Sequence, residues 1–290
     1  MKKTTVFKRL IMDKDILVLP GAHDAMAAKI VEQAGFKAIG LGGYPATASL
    51  LGKPDVSLLT LTEMVTYTKN IVEAVDIPVF TDADTGYGSV PNVIRTVREF
   101  ERTGVAGLFI EDQLFPKRCG HMEGKQVVPA EDMIAKVKAA VDTREDPDFI
   151  IMARTDALGP LGIEEAIERG NRYRQAGADL IFVEAPRTRE DMLRINNEIE
   201  APTMAIQIEG GKTPLLTVKE LDQIGYNVVV YPISTLYAAS WAVKRLMKEL
   251  MDHGTTKGSM EKMITFNDFN ELVGLPLLRE KELSFYQGET

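Results

Sequence analysis

The sequence of 290 residues contains little cysteine, tryptophan or histidine, with one, one and three of these residues. A single cysteine allows no intrachain disulfide and suits a reducing compartment, so we expect a cytoplasmic protein. No apolar run approaches the roughly 18 residues that a membrane helix needs, and we expect neither a membrane partner nor a secretory signal. The net charge is −8 and no basic run is present, which argues against nucleic acid as a partner.

Short apolar runs alternate with amphipathic helical patterns along the chain. The runs are nearly continuous, which is typical of parallel strands covered on both faces. Strands are predicted at 16–19, 38–41, 78–81, 107–110, 149–153, 180–183, 203–208 and 228–231. Helices are predicted at 24–34, 61–75, 92–103, 131–142, 164–176, 189–198, 218–224 and 238–251. This alternation predicts an α/β fold, a (β/α)8 TIM-type barrel, with a doubly wound open sheet as the alternative.

The chain continues past the eighth predicted helix, and this part is expected to extend the barrel. We predict a single barrel domain over residues 1–290, in which 255–290 form a C-terminal helical extension. Residues 260–272 predict one further helix that ends near Gly274 and Pro276. Such an extension is expected to pack on a neighbouring subunit and to serve oligomerisation.

Ionisable side chains follow several predicted strands at the end where active sites of such barrels lie. Asp82 and Asp84 follow the third strand, Glu111 follows the fourth, and Asp55 lies in the loop after the second. Converging carboxylates repel one another unless a cation lies among them. Oxygen ligands alone point to Mg²⁺, with Mn²⁺ as a second possibility. The alternative is a turn at 84–86 with Asp82 as a helix-capping residue.

Arg154 follows the fifth predicted strand, and its planar guanidinium suits a substrate carboxylate. The alternative for Arg154 is a structural ion pair with Glu184 or Asp156. Glycine pairs at 42–43 and 210–211 would let backbone N–H groups approach an anion closely. Such pairs are common in barrel loops, so they carry little weight alone.

The one cysteine, Cys119, lies in a long loop at 113–129 that follows the fourth strand. A connection of this length is typical of a lid. Lys117, Arg118 and His121 flank the thiol and are expected to lower its pKa. A thiol whose pKa is near neutrality can serve as a general acid or base. The alternative is a buried small apolar side chain.

Taken together, these motifs resemble the isocitrate lyase and phosphoenolpyruvate mutase superfamily. The resemblance runs from residue 17 to residue 234, and its specific motifs are Gly-Lys-Pro-Asp at 52–55, Asp-Ala-Asp-Thr-Gly-Tyr-Gly at 82–88, Ile-Glu-Asp-Gln at 110–113, Lys-Arg-Cys-Gly-His at 117–121, Ala-Arg-Thr-Asp-Ala at 153–157 and Glu-Ala at 184–185. It implies a TIM barrel, commonly a homotetramer whose C-terminal helices swap between subunits. The loop at 117–121 resembles the carbon–carbon lyase branch, and the phosphonate-processing branch lacks its cysteine pattern.

The resemblance also implies roles for individual residues. The positions that match the metal and its waters are Asp55, Asp82, Asp84 and Glu111. The catalytic positions are Cys119, which matches the catalytic thiol, with Lys117, His121, Tyr44 and Glu184. The substrate-binding positions are Gly42, Gly43, Tyr44, Arg118, Gly120, Arg154, Glu184 and Gly210.

Two departures from the 2-methylisocitrate lyase branch bear on the substrate. That branch has Ser-Gly-Gly where residues 42–44 read Gly-Gly-Tyr, and Ala-Asn where residues 205–206 read Ala-Ile. A third substrate carboxylate needs a polar partner, because an unpaired buried charge is costly. We therefore expect a Mg²⁺-dependent lyase that cleaves a small carboxylate, an alkyl-substituted malate such as 2,3-dimethylmalate, to pyruvate and propanoate. The alternatives are a 2-methylisocitrate lyase giving pyruvate and succinate, and a non-catalytic, metal-dependent carboxylate-binding barrel.

Overall fold

The computed structural model describes residues 1–286 and contains one sheet of eight parallel strands. The strands are β1 (Leu17–Pro20), β2 (Ile39–Leu41), β3 (Val79–Asp82), β4 (Gly107–Glu111), β5 (Ile150–Thr155), β6 (Leu180–Val183), β7 (Thr203–Ile206) and β8 (Val228–Tyr231). Each strand overlaps a predicted apolar run. Residues 287–290, the end of the predicted extension, lie outside the described residues.

Helices connect successive strands and continue beyond the last one. They are α1 (Lys3–Ile11), α2 (Ala25–Gln33), α3 (Gly43–Leu51), α4 (Leu61–Ala74), α5 (Val90–Glu101), α6 (Ala130–Thr143), α7 (Leu158–Leu161), α8 (Ile163–Gln175), α9 (Arg189–Glu198), α10 (Val218–Ile224), α11 (Ser234–His253), α12 (Phe266–Leu272) and α13 (Leu275–Tyr286). Within residues 1–286, no helix is both long and apolar enough to cross a membrane.

The sheet is a nearly closed barrel. Each strand pairs in parallel with the next one along the chain from β2 to β8, and β8 pairs with β1. A bridge between Gly21 and Gly40 joins the remaining edges, where the backbone N–H of Ala22 donates to the carbonyl of Gly40 over 3.3 Å. The predicted (β/α)8 barrel is therefore confirmed, and the open doubly wound sheet is wrong.

The barrel interior is filled by side chains from alternating strand positions. Leu17 and Leu19 of β1 belong to this interior cluster, whereas Val18 between them packs outward against the helices. Phe7 of α1 also enters the interior and stacks on Phe80, with ring centroids 5.4 Å apart. Alternate burial follows from the two-residue period of a strand. It leaves the carboxyl ends of the strands free to carry polar groups.

Three helices of the barrel part were not predicted from the sequence, namely α1, α3 and α7. The single helix predicted over 260–272 is wrong. A 3₁₀ turn at Lys257–Lys262 is followed by α12, whose first turn is capped by the hydroxyl of Thr265 accepting from the N–H of Asp268. Pro276 does not end a helix but lies in the first turn of α13. Backbone N–H groups in the first turn have no acceptor within the helix, so the missing N–H of proline costs nothing there.

Two compact units make up the chain, Met1–Thr235 and Leu236–Thr290. The first contains all eight strands, and the second contains most of α11 and the helices after it. Within the second unit several large apolar side chains are exposed, among them Trp241, Phe266 and Phe285. The single-domain organisation and the oligomerisation role of residues 255–290 stay predictions.

Close packing between β4 and β5 gives a direct test of the barrel. A Cβ atom on Gly107 would lie 2.5 Å from the carbonyl oxygen of Ile150, which backbone pairing fixes in place. We expect Gly107→Ala to destabilise the fold by about 3 kcal/mol, a fall in Tm of roughly 6 to 12 °C. Gly159→Ala is the matched control, because the nearest atom to its Cβ lies at 3.8 Å. Equal thermal melting curves for the two variants would contradict this packing.

Candidate active site

Buried charged side chains gather at the carboxyl ends of neighbouring strands. Asp82 ends β3, Glu111 ends β4, Arg154 lies near the end of β5, and Glu184 directly follows β6. The register places Glu111 opposite Arg154. Asp55 joins them from the loop after α3, so that a helix separates it from β2. All five residues are buried, with exposed fractions of at most 7%. The structure thus brings together most of the residues predicted for the site.

Asp82 organises the backbone around it. One carboxylate oxygen accepts from the N–H of Gly43 over 2.8 Å, and the other accepts from the N–H of Asp84 over 2.8 Å. Asp84 itself has a φ of 56°, in the left-handed region that a non-glycine residue rarely adopts. The carboxylate of Asp82 therefore stabilises the turn that was predicted here. The side chain of Asp84 takes no part in these two hydrogen bonds.

Lys117 enters this cluster from the long loop after β4. Its ammonium nitrogen lies 3.0 Å from an oxygen of Asp55 and 3.5 Å from an oxygen of Asp84. Burial opposes the positive charge, but the surrounding carboxylates raise the pKa of Lys117 well above its usual value. Lys117 is consequently a fixed cation among carboxylates and, at 3% exposure, is almost inaccessible to solvent.

The positive charge of Lys117 does not satisfy every carboxylate. Asp84 Oδ1 and both oxygens of Glu111 are buried and have no hydrogen-bond partner within residues 1–286. Burial, with Asp82 and Asp55 nearby, raises the pKa of Asp84 to about 6 although Lys117 opposes the shift. Burial also raises the pKa of Glu111 well above its usual value. These buried oxygens without hydrogen-bond partners are hard donors of the kind that Mg²⁺ or Mn²⁺ takes.

The carboxylates fit a divalent cation chemically but are not arranged around one. Within residues 1–286, no group of three or more His, Cys, Asp or Glu side chains has the spacing of a finished metal site. The ammonium of Lys117 lies between Asp55 and Asp84, and a metal ion there would compete with it. The metal roles of Asp55, Asp82, Asp84 and Glu111 stay predictions.

Arg154 forms the structural ion pair that the sequence left as the alternative. Its Nε and Nη2 donate to the two oxygens of Asp156 over 2.8 and 3.0 Å. Its Nη1 lies 3.2 Å from Glu111, and its Nε lies 3.5 Å from Glu184. Burial opposes the charge of Asp156, but Arg154 and Lys125 hold its pKa at about 2. The predicted contact of Arg154 with a substrate carboxylate would have to use the parts of the guanidinium that Asp156 does not occupy.

Asp112 holds neighbouring residues of the site in place, although the sequence assigned it no role. It is fully buried and accepts from the hydroxyls of Thr155 and Tyr173, each over 2.8 Å. It also accepts from the N–H of Asp156 over 2.8 Å and lies 3.1 Å from Arg169. Asp112 thereby fixes the backbone that carries Asp156. The available signal was its position directly after Glu111, because adjacent side chains of an extended chain point to opposite faces.

Gly120 is the point where the long loop meets the barrel residues. A Cβ atom there would lie 2.3 Å from the carboxylate of Glu184 and 2.4 Å from Nη2 of Arg154. No larger residue fits without moving these buried groups. Steric crowding therefore explains why the Lys-Arg-Cys-Gly-His motif has a glycine at this position. The neighbouring Cys119 is half-buried, and its N–H donates to the carbonyl of Asp55 over 3.3 Å.

The expected lowering of the Cys119 pKa is wrong. Burial raises the pKa of the thiol, and Glu184 and Asp55 add to the shift, while a hydrogen bond from the backbone of His121 opposes it. The flanking cations do not act on the sulfur as expected. Lys117 points to the carboxylate cluster, and Arg118 is exposed and donates to the carbonyl of Glu123 over 3.3 Å.

His121 connects the long loop to a second loop, which follows β7. Its Nδ1 accepts from the N–H of Lys212 over 2.9 Å, and its Nε2 lies 3.2 Å from Glu184. A Cβ on Gly211 would lie 2.7 Å from that Nδ1, whereas a Cβ on Gly210 would meet nothing within 4 Å. Gly211, which the sequence marked only as one of a glycine pair, therefore lies against His121, and the substrate role predicted for Gly210 stays a prediction.

The remaining predicted residues lie at the start of α3. Gly42 precedes this helix, Gly43 begins it, and the half-buried Tyr44 is its second residue. A Cβ on Gly43 would lie 3.1 Å from an oxygen of Asp82 and 3.3 Å from the ammonium of Lys117. The glycine pair thus brings the first turn of a helix against the carboxylate cluster. The substrate contacts predicted for residues 42–44 stay predictions.

Known proteins resemble this chain over almost its whole length. It is 50% identical to 2,3-dimethylmalate lyase of Eubacterium barkeri over 288 residues, which cover 99% of this chain and 100% of that protein. It is 43% identical to 2-methylisocitrate lyase of Aeropyrum pernix over 269 residues, which cover 93% of this chain and 86% of the other.

Solved structures show the same likeness. A crystal structure of 2,3-dimethylmalate lyase, described as a PEP mutase/isocitrate lyase superfamily member, matches with a TM-score of 0.93 and 30% identity, covering 100% of this chain and 99% of the other. A complex of phosphonopyruvate hydrolase with oxalate and Mg²⁺ matches with a TM-score of 0.91 and 27% identity, covering 99% and 100%. The family model for phosphoenolpyruvate phosphomutase matches residues 7–251. The chain therefore belongs to the phosphoenolpyruvate phosphomutase family, within the PEP mutase/isocitrate lyase superfamily.

Proposed function

We propose that this protein is a Mg²⁺-dependent carbon–carbon lyase that cleaves 2,3-dimethylmalate, or a closely related alkyl-substituted malate, to pyruvate and propanoate. The observation that carries the proposal is the meeting of Cys119, Gly120 and His121 with buried carboxylates at the mouth of the barrel. The 50% identity to a named 2,3-dimethylmalate lyase over the whole chain supports this choice of substrate.

The carboxylate cluster supplies the electrostatic half of the proposed reaction. A Mg²⁺ ion, or Mn²⁺, held by Asp55, Asp82, Asp84 and Glu111 would stabilise negative charge on the substrate oxygens. Lys117 brings a second positive charge to the same place. An anionic substrate is then drawn into a site whose own net charge would otherwise repel it.

The chemical steps are a proton loss, a bond cleavage and a proton gain. The 2-hydroxyl group loses its proton, the bond between carbons 2 and 3 breaks, and its electron pair passes to carbon 3. Cys119 then donates its thiol proton to carbon 3, which yields propanoate. Because burial raises the pKa of this thiol, Cys119 holds the proton it has to donate at neutral pH. Tyr44 is the candidate for the base that takes the hydroxyl proton.

Ile206 favours dimethylmalate over methylisocitrate as the substrate. It ends β7, is 8% exposed and belongs to the apolar cluster of the barrel interior. A third carboxylate placed there would find no polar partner, and an unpaired buried charge is costly. The 43% identity to a 2-methylisocitrate lyase keeps that enzyme as the second candidate.

Quaternary structure and location are further parts of the proposal. We infer a homotetramer, supported by the exposed apolar side chains of residues 236–286, such as Trp241 and Phe285. Light scattering that gives the mass of one chain would contradict it. We place the enzyme in the cytoplasm because its single cysteine suits a reducing compartment, and fractionation that recovers it outside the cytoplasm would refute this.

Substrate preference is the first test of the proposed function. We expect kcat/KM for 2,3-dimethylmalate to exceed that for 2-methylisocitrate at least about tenfold, since only the latter leaves a carboxylate without a polar partner. Coupled detection of pyruvate measures both reactions in the same way. Faster cleavage of methylisocitrate would reverse the assignment, and no pyruvate from either would favour a non-catalytic barrel.

The proton-donor role predicts the effect of Cys119→Ser. Turnover should fall by about 10²- to 10⁴-fold, the usual contribution of a general acid, because a serine hydroxyl is a much weaker acid. Binding of Mg²⁺ and pyruvate, measured by calorimetry, should persist. Unchanged release of pyruvate by the variant would rule out Cys119 as the acid.

The proposed metal site predicts the effect of Asp84→Asn on Mg²⁺ binding. The dissociation constant should rise at least about tenfold in calorimetry, because one anionic oxygen is lost. Since the pKa of Asp84 is about 6, wild-type affinity should fall as the pH drops below 6 and protons compete. Asp222→Asn, which removes an exposed carboxylate, is the control and should bind as the wild type does. Equal affinities in all three proteins would place the metal elsewhere.

A further inference from the structure

We propose that the backbone of Gly211 and Lys212 positions His121 and holds it in one tautomer, with the hydrogen on Nε2. In this form His121 is a hydrogen-bond donor toward the site and not a base. Only the use of this donor on a substrate depends on the function proposed above. The positioning itself follows from contacts between the two loops.

The two nitrogens of the His121 ring meet different groups. A backbone N–H can only donate, so the 2.9 Å contact from the N–H of Lys212 requires a lone pair on Nδ1. In a neutral imidazole the hydrogen must then be on Nε2. The His121 side chain is only 10% exposed, so water has little access to the ring and does not readily move the hydrogen from Nε2 to Nδ1. The backbone of the second loop therefore selects the tautomer.

The Nε2 end of the ring retains capacity to donate. It lies 3.2 Å from Glu184 Oε1, but the contact lacks hydrogen-bond geometry, and Nε2 has no hydrogen-bond partner within residues 1–286. Glu184 is itself paired with Arg154 and borders Gly120. An N–H that is buried beside Glu184 and has no hydrogen-bond partner within residues 1–286 suits a carboxylate or enolate oxygen of a substrate.

Gly211 makes this approach of the ring possible. A Cβ atom on Gly211 would lie 2.7 Å from Nδ1 and 2.9 Å from Cε1 of His121, closer than non-bonded atoms allow. Any side chain at this position would push the imidazole away from the N–H of Lys212. Gly211 is thus a positioning residue: it lets the ring come close enough to the N–H of Lys212 for that N–H to fix the tautomer.

The loop that carries Gly211 and Lys212 is fixed to the barrel by Gln207. This fully buried side chain donates to the carbonyls of Ile206 and Pro214 over 3.1 and 3.3 Å, and it accepts from the N–H of Leu216 over 2.7 Å. Two of these hydrogen bonds, to Pro214 and from Leu216, cross the base of the loop and hold its two ends together. The N–H of Lys212 is consequently presented from a rigid support.

The tautomer has a consequence for the chemistry. A neutral imidazole with its hydrogen on Nε2 and its Nδ1 lone pair in use has no free lone pair. It cannot remove a proton from a substrate hydroxyl. His121 is therefore excluded as the base, and its role in the site is to stabilise negative charge.

Nitrogen NMR of the full-length, ¹⁵N-histidine-labelled protein tests the proposal without any substrate. The chain has only three histidines, and a His121→Asn variant identifies the signals of His121. At a pH above 8 we expect a protonated Nε2 and an unprotonated Nδ1. A hydrogen on Nδ1, a rapidly exchanging mixture of tautomers, or a doubly protonated ring would each overturn the proposal. Because no turnover is measured, failure here is separate from failure of the lyase assignment.

Three variants identify the groups responsible. Gly211→Ala should abolish the single tautomer and give an averaged spectrum. Gly210→Ala is the control for a change in the same loop without a clash, because no atom lies within 4 Å of its Cβ although its φ of +75° strains an alanine, and the tautomer should persist. Lys212→Ala removes the side-chain contacts to Met122 and Glu123 but keeps the N–H, so the tautomer should also persist. Loss of the tautomer in Lys212→Ala, or its survival in Gly211→Ala, would contradict the proposed roles.

Discussion

The structure of the site depends on an excess of buried negative charge at the carboxyl ends of the strands. Removing a carboxylate from water is costly unless a cation or hydrogen-bond donors replace the solvent. Asp156 meets this requirement with two cations, and its pKa is low. Glu111 shares Arg154 with two other carboxylates, and its pKa is raised. The same barrel end thus contains a satisfied structural carboxylate and unsatisfied ones that remain available for chemistry.

This charge excess also explains why the long loop lies where it does. Lys117 reaches the carboxylate cluster, His121 reaches Glu184, and Lys125 reaches Asp156 over 2.7 Å. The loop therefore contacts the barrel mainly through charged groups. Burial removes most of the screening that weakens surface ion pairs. A loop held in this way can carry reactive groups with defined positions.

Much of the fold and part of the site were predictable from sequence, for identifiable reasons. The continuous apolar runs placed the eight strands, because a parallel strand buried on both faces leaves a strong pattern. Strand ends such as Glu111 and Arg154 placed the active-site side chains. The helix α1 was missed although its buried residues Phe7 and Ile11 are four apart, because an apolar pattern of a single helical turn is too short to stand out. The glycine pair at 210–211 was noticed, but the steric role of Gly211 was not predicted because it depends on His121, ninety residues earlier in the chain.

The pKa of Cys119 shows where neighbours in sequence mislead. Its flanking cations, Lys117 and Arg118, contact other groups. Burial and the nearby carboxylates therefore raise the pKa of the thiol, which keeps its proton. With the hydrogen of His121 on Nε2 and Lys117 charged, these three side chains of the long loop all present hydrogens, not lone pairs. The acceptors, by contrast, are carboxylates carried by the barrel. If the proposed lyase mechanism holds, the base for the substrate hydroxyl is none of these three loop side chains, and Tyr44 on α3 stays the candidate.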